Sequence, residues 1–276
     1  MKNKIMIAIT TYNRKDIIDL TSKSLSEIIG LNYDDVYIFD DCSTEFNISY
    51  LKKKYPGAHV LKSKNNLGAD KNIERAYNYF LKSSYDYFFN ADSDILFSKN
   101  ILKKVNSIIN KFDKNEPILF SVFNTLNHKV LSDLKNEFVI KKDVGACGCI
   151  FNKDSIKLFI NKLPSHYDDT NWAVDYTFCS IYNNLGYKIY VTRNSLIQHI
   201  GYIGQNSNDF LFDWGIGFEV DSLTNAKAII DLYEKNINLN TSGVEQKIID
   251  YAKNGFFGVF LALKVLFITI KNKFKK

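Results

Sequence analysis

Apolar runs and helical spacing alternate through the first 125 residues. Ile5-Met6-Ile7-Ala8-Ile9 predicts a buried strand, and residues 16–29, with Ile17, Ile18, Leu25, Ile28 and Ile29 apolar, predict a helix. Val36-Tyr37-Ile38-Phe39 predicts a second strand. A helix over residues 46–55 leads to the turn Pro56-Gly57 and the strand His59-Val60-Leu61. Ala69, Ile73, Ala76, Tyr77 and Phe80 share one helical face, and Tyr87-Phe88-Phe89 predicts the next strand. Strands alternating with helices imply right-handed crossovers, hence an α/β fold with a mostly parallel, Rossmann-like sheet flanked by helices. Beyond residue 115, strands are expected at 118–123, 137–140, 145–151 and 188–191, and helices at 154–161 and 172–185. Residues 1–225 form the expected main domain, with 226–276 a C-terminal helical appendage.

Ligands in such sheets bind beyond the carboxyl ends of the strands. Polar clusters follow all four N-terminal strands there: Thr10-Thr11-Tyr12-Asn13-Arg14, Asp40-Asp41-Cys42-Ser43, Ser63 to Gly68, and Asp92-Ser93-Asp94. In the last cluster, two carboxylates that converge after a strand repel each other unless a cation lies between them. Hard oxygen ligands suit Mg²⁺ or Mn²⁺, ions that complete their coordination with water and substrate phosphates.

Composition narrows the class. A chain of 276 residues, 46% hydrophobic, can bury a substantial core. Cys42, Cys147, Cys149 and Cys179 show no metal-ligand spacing with histidine and suit free thiols in a reducing cytosol. The start, Met1-Lys2-Asn3-Lys4, lacks the long apolar core of a signal peptide. The net charge of +6 is partly a property of the C-terminal lysines, and no basic stripe interleaved with aromatics points to nucleic acid.

Taken in order, Ile9 to Arg14, Asp40 to Ser43, Asn65-Asn66-Leu67-Gly68 with Lys71-Asn72, and Asp92-Ser93-Asp94 resemble the motifs of family 2 glycosyltransferases of the GT-A fold. The resemblance covers roughly residues 4–205. It implies inverting transfer of a sugar from a nucleotide diphosphate sugar. By the same resemblance, Thr10 and Tyr12 contact the nucleotide, Asp41 accepts from the base ring N–H and so favours uridine, and Lys71 lies near the diphosphate, where the family more often has arginine. Asp92 reaches ribose or metal, and Asp94 is the principal metal ligand. Asp175 matches the base that deprotonates the acceptor hydroxyl, with Val174 in place of the usual acidic neighbour and Asp168 and Asp169 as competitors. His199, followed by Gly201 and Gly204, matches a third metal ligand that some members carry on a flexible loop. Each residue also has a structural reading. Asp40 or Asp41 suits a helix N-cap, Lys71 a solvated helix face, Asp175 a first-turn carboxylate facing the helix dipole, and His199 a hydrogen-bonded structural histidine.

Residues 255–270 are apolar nearly all round and end in lysines. As a helix they would extend about 24 Å, short of the roughly 20 residues a span needs. An interfacial helix at anionic head groups fits this pattern, and packing against a second copy or the chain's own core is the alternative. The expected protein is a cytoplasmic enzyme, peripheral on the inner face of the membrane. It would use Mn²⁺ or Mg²⁺ and a UDP-sugar to extend a glycan or lipid-linked glycan, as in bacterial surface polysaccharide assembly. The rivals are a sugar nucleotidyltransferase, which should carry a glycine-rich loop after the first strand, and a non-catalytic relative that binds glycan or membrane.

Overall fold

A computed structural model of the protein describes residues 3–135, 137–163, 173–201 and 213–239. The chain begins β1 (Ile5–Thr11), α1 (Lys15–Ser26), β2 (Val36–Asp40), α2 (Ile48–Lys54), β3 (His59–Lys62), α3 (Ala69–Leu81) and β4 (Tyr87–Asp92). It continues through β5 (Ile95–Phe97), α4 (Ile101–Ile109), β6 (Leu119–Ser121), β7 (Val130–Asp133), β8 (Phe138–Lys141) and β9 (Cys149–Asn152). Then come α5 (Lys153–Phe159), α6 (Val174–Asn184), β10 (Ile189–Thr192), β11 (Ile197–His199) and α7 (Leu223–Leu239).

The main sheet runs β3-β2-β1-β4-β9-β6-β10-β8-β7, with β5 and β11 paired separately. Strands β3, β2, β1 and β4 are parallel, as the βα alternation requires. β9 is inserted antiparallel between β4 and β6, and β8 is antiparallel to both of its neighbours. The expected strand over 145–151 is accordingly shorter. Gly148 takes φ +79 and breaks the extended run before Cys149. A side chain there would meet Ile197 Cδ1 at 2.8 Å and Phe123 Cβ at 3.0 Å, so glycine lets β11 and the loop after β6 approach closely here.

Alternation along β1 builds a core on each face of the sheet. Ile5, Ile7 and Ile9 pack with Ile18 and Leu25 of α1, Leu51 of α2 and Val105 of α4. Met6 and Ala8 pack on the other side with Ile73, Tyr77 and Phe80 of α3, Ile156 of α5 and Phe178 of α6. Each such buried side chain contributes roughly 1.5–3 kcal/mol. The two layers fix β1 and β4 in register, with Thr10 beside Asp92, and this places their carboxyl ends together.

The boundary expected at 225/226 falls inside α7, whose first turns are tied to the main body. Ser24 Oγ donates to Asn225 Oδ1 at 2.8 Å, Asn225 Nδ2 donates to the Phe97 carbonyl at 2.8 Å, and Ala228 and Ile229 are buried. No helix among the described residues is long and apolar enough to cross a membrane. The apolar segment 255–270 and the lysines after it lie outside the described residues.

One core residue breaks the apolar rule. Lys141, at the end of β8, is 1% exposed and donates to the Thr125 carbonyl. Burial pulls its ammonium down to about 8, against the pull of Asp213 and Asp143 toward the charged form. In the unfolded chain an ordinary lysine titrates at about 10.4. Between these values the unfolded state holds more protons, so this group's contribution to stability rises with pH. Relative to Lys141→Met, the wild type is therefore expected to gain on the order of 3 kcal/mol from about pH 7 to above pH 10. Urea denaturation of both proteins across that range tests this, and a pH-independent difference would contradict it.

Candidate active site

The carboxyl ends of β1 and β4 form one floor. Thr10 Oγ1 donates to Asp92 Oδ1 at 2.9 Å, and the Ser93 N–H donates to the Thr10 carbonyl at 3.1 Å. Strand β4 thus extends past its apolar run through Asp92, and the chain turns at Ser93-Asp94 into β5. Asp94 is 7% exposed. Its Oδ2 receives Arg14 Nη1 at 2.8 Å and lies 3.2 Å from His199 Nε2. Its Oδ1 is buried with no hydrogen-bond partner among the described residues.

Arg14 reaches Asp94 because the β1–α1 turn is left-handed. Asn13 and Arg14 take φ 53 and 63, a conformation uncommon for side-chain-bearing residues. The turn is held by Asn13, whose N–H donates to Ser43 Oγ at 2.8 Å and whose Oδ1 accepts the Thr44 N–H at 2.8 Å. His199 lies at the end of β11, opposite Ile95 of β5, so it enters the site from a strand and not from a flexible loop. The Ile200 N–H then donates to the Asp94 carbonyl at 2.7 Å. At Gly201 a Cβ would stand 2.2 Å from Asp94 Oδ2, which explains a glycine two residues after this strand. Gly204 lies outside the described residues.

These contacts set the charges. Burial raises the Asp94 carboxyl, but His199 and Arg14 together outweigh it and hold Asp94 well below the usual carboxylate range. Asp92 moves the other way, raised by burial and by the charge of Asp94, with only partial relief from Thr10 and His199. Burial works against charge on His199, yet Asp94, then Asp92 and Asp213, raise its imidazole to about 9.

Asp41 lies at the neighbouring strand end, 2% exposed. Both its oxygens are engaged: Oδ1 by the Leu67 N–H at 2.8 Å and Oδ2 by the Gly68 N–H at 2.9 Å. Asp40 accepts the Ser43 N–H at 3.0 Å and so makes the turn after β2. Asp41 thereby shapes the β3–α3 loop, while Tyr12 and Lys71 are half-buried at the starts of α1 and α3. Asp175 occupies the first turn of α6, 4.0 Å from where a Cβ on Gly145 would lie. Burial raises its carboxyl; the Tyr176 N–H and His128 oppose the shift, and the charge of Asp70 reinforces it. Burial, reinforced by the nearby charges of Asp175 and Asp92, pushes the Cys149 thiol up. Asp168, Asp169 and Trp172 lie outside the described residues.

Sequence reasoning assigned no role to Arg14, Asp70 or the His128–Asp143 pair, whose Nδ1 and Oδ1 are 2.6 Å apart. Arg14 stands at the end of the first polar cluster, which is the one signal that singled it out. Asp70 resembles any acidic residue in a helix's first turn. His128 and Asp143 lie 15 residues apart in loops, and only the β7–β8 hairpin brings them together.

Among the described residues no three His, Cys, Asp or Glu side chains form a ready metal cage. The donor set nevertheless fits a divalent cation. Two carboxylates and an imidazole are suitable ligands, and the buried, unpartnered Asp94 Oδ1 lies where a cation would satisfy it.

The chain matches the family model described as "Glycosyl transferase family 2" over residues 6–185. No curated protein matches it. Among solved structures, S. aureus TarS 1–349 is similar with a TM-score of 0.50 and 17% identity over 70% of this chain and 59% of that one. The same TarS fragment in complex with UDP is similar with a TM-score of 0.50, at 18% identity and the same coverage. A mannosyltransferase from Pyrobaculum calidifontis in complex with GDP-Man and Mn²⁺ is 12% identical over 98% of this chain and 76% of its own, with a TM-score of 0.48. The chain therefore spans about three-fifths of the TarS fragment's length. The likeness to the two TarS structures agrees with the sheet order in giving a GT-A fold. With the family model covering well over half of its length, the chain belongs to glycosyl transferase family 2.

Proposed function

We propose that the protein is an inverting, metal-dependent transferase that moves a sugar from a UDP-sugar to a hydroxyl of a glycan acceptor. One observation carries this reading: Thr10, Asp92, Asp94 and His199 converge at the ends of β1, β4 and β11, and a further carboxylate, Asp175, stands on the first turn of a separate helix, α6, beside Gly145. On this reading the Asp92/Asp94 group would face the donor diphosphate and Asp175 the acceptor hydroxyl. Asp94, Asp92 and His199 would hold the divalent cation, which as a Lewis acid offsets the negative charge that grows on departing UDP.

The protein's own groups do the rest. Thr10 keeps the Asp92 carboxylate oriented. Arg14, 2.8 Å from Asp94, would place positive charge beside a diphosphate held there. Tyr12 offers a ring to the base, and the Asp41-anchored loop carries Lys71 on the helix that follows it. Asp175 takes the acceptor hydroxyl's proton as that oxygen attacks the anomeric carbon. The bond from that carbon to the UDP oxygen breaks on the opposite face, which inverts the centre.

Thermal shift with UDP, in Mn²⁺ or Mg²⁺ and in EDTA, tests the donor side. UDP is expected to raise Tm in the presence of the ion and to lose most of that effect in EDTA. An equal shift with GDP would remove the uridine preference, and an unchanged shift in EDTA would remove the cation from donor binding.

A further inference from the structure

The first turn of α6 is held from a distance. A helix leaves four N–H groups unmatched at its start, and the N-cap residue Ala173 has no side-chain oxygen to meet any of them. The Val174 N–H instead donates to Asp70 Oδ1 at 3.0 Å, from a residue 104 positions earlier in the chain. The Tyr176 N–H donates to Asp175 Oδ1 at 2.9 Å. Two carboxylates thus share one helix start, one of them belonging to the residue assigned as base.

We infer that Asp70 is a positioning residue for Asp175: its carboxylate fastens the turn that carries the base and places a second negative charge beside it. The inference rests on the reading of Asp175 as the base. Asp70 sits in the first turn of α3, two residues after Gly68, whose N–H is bound by Asp41. A short route therefore runs from the donor-side loop through Gly68 and Asp70 to Val174 and Asp175. Asn72 secures the same turn, with its Nδ2 donating to the Phe39 carbonyl at 2.9 Å. The start of α3 is thus fixed to the sheet and can serve as a rigid anchor for α6.

The charges around Asp175 make the contribution of Asp70 separable. Asp70 faces it from α3 and His128 from the loop after β6, with opposite effects. Cys149 on β9 and Cys179 on α6 are thiols that burial keeps protonated. Burial is the largest influence on Asp175 and persists when Asp70 is changed. Removing the charge at Asp70 should therefore lower the pKa of Asp175 without returning it to an ordinary value.

The test uses the full chain with Asp70→Asn, Asp70→Ala and Asp175→Asn. Asp70→Asn keeps an oxygen for the Val174 N–H and removes the charge; Asp70→Ala removes both. Carboxyl ¹³C titration, with the Asp175 signal assigned by its loss in Asp175→Asn, is expected to show Asp175 titrating at lower pH in Asp70→Asn. The acid limb of the kcat profile for UDP release from a UDP-sugar should move the same way. Asp70→Ala is expected to lose on the order of tenfold in kcat with little change in donor KM, and to exchange the Val174 amide proton faster; Asp70→Asn should restore most of both. An unmoved Asp175 titration in Asp70→Asn, together with unchanged kcat in Asp70→Ala, would overturn the inference, and an inactive Asp175→Asn would leave the base assignment standing. Full activity in Asp175→Asn would remove the base assignment and this inference together.

Discussion

Asp175→Asn is expected to lower kcat by about a thousandfold, with donor KM and Tm close to those of the wild type. General-base catalysis is worth roughly 10²–10⁴-fold, and an amide cannot accept the proton. The replacement keeps the shape of the side chain and an oxygen for the Tyr176 N–H, which Asp175 now binds at 2.9 Å. The helix start should therefore survive, and the loss should fall on chemistry. The wild-type pH profile gives a second reading. Burial raises Asp175 above its ordinary carboxyl value, and a base works only when deprotonated. Activity should fall as pH drops through that raised value and hold on the alkaline side. Steady-state UDP release at several pH values measures both effects. A variant that keeps more than a tenth of wild-type kcat would point to another base.

The parallel half of the fold was legible because it is buried on both faces. β1, β2 and β4 are continuous apolar runs, and α1 and α3 show helical spacing, so periodicity had strong signals to read. One strong pattern escaped: α4, whose buried Ile101, Val105, Ile108 and Ile109 follow helical spacing. The other missed elements have weak patterns. β7 is exposed along its whole length and is held by pairing with β8, not by an apolar face. β5 and β11 are three residues each and exist because they pair with one another. That small ribbon brings His199 to Asp94, so the sequence offered the residue but not the strand that delivers it. Asp41 shows a different limit. A carboxylate after a strand can read a base or fasten a loop, and only the N–H groups of Leu67 and Gly68 reveal the second use. Contacts between distant segments, such as Arg14 with Asp94 and Asp70 with Val174, leave no periodic trace at all.

Asp94→Asn should abolish UDP release to within about a thousandth of the wild-type rate and remove the ion-dependent part of the Tm gain with UDP. Asp94 is the point where the chain gathers its positive groups: Arg14 and His199 both approach Oδ2, and Oδ1 is buried without a partner among the described residues. Losing a charge that stabilises a leaving group in a water-poor site costs several kcal/mol of barrier. The fold should suffer less. Breaking a fully buried ion pair costs about 3–5 kcal/mol, but the Arg14 side chain is 29% exposed and water can reach part of it. A Tm loss of a few degrees is therefore expected without ligand. Asp92→Asn makes the useful contrast, since an amide oxygen can still accept from Thr10 Oγ1 and the floor between β1 and β4 stays joined. If the ion acts mainly through Asp94, Asp92→Asn keeps a measurable ion-dependent shift while Asp94→Asn has none. An ion-dependent shift of wild-type size in Asp94→Asn would take Asp94 out of the cation site and leave its carboxylate the role of orienting Arg14 and His199.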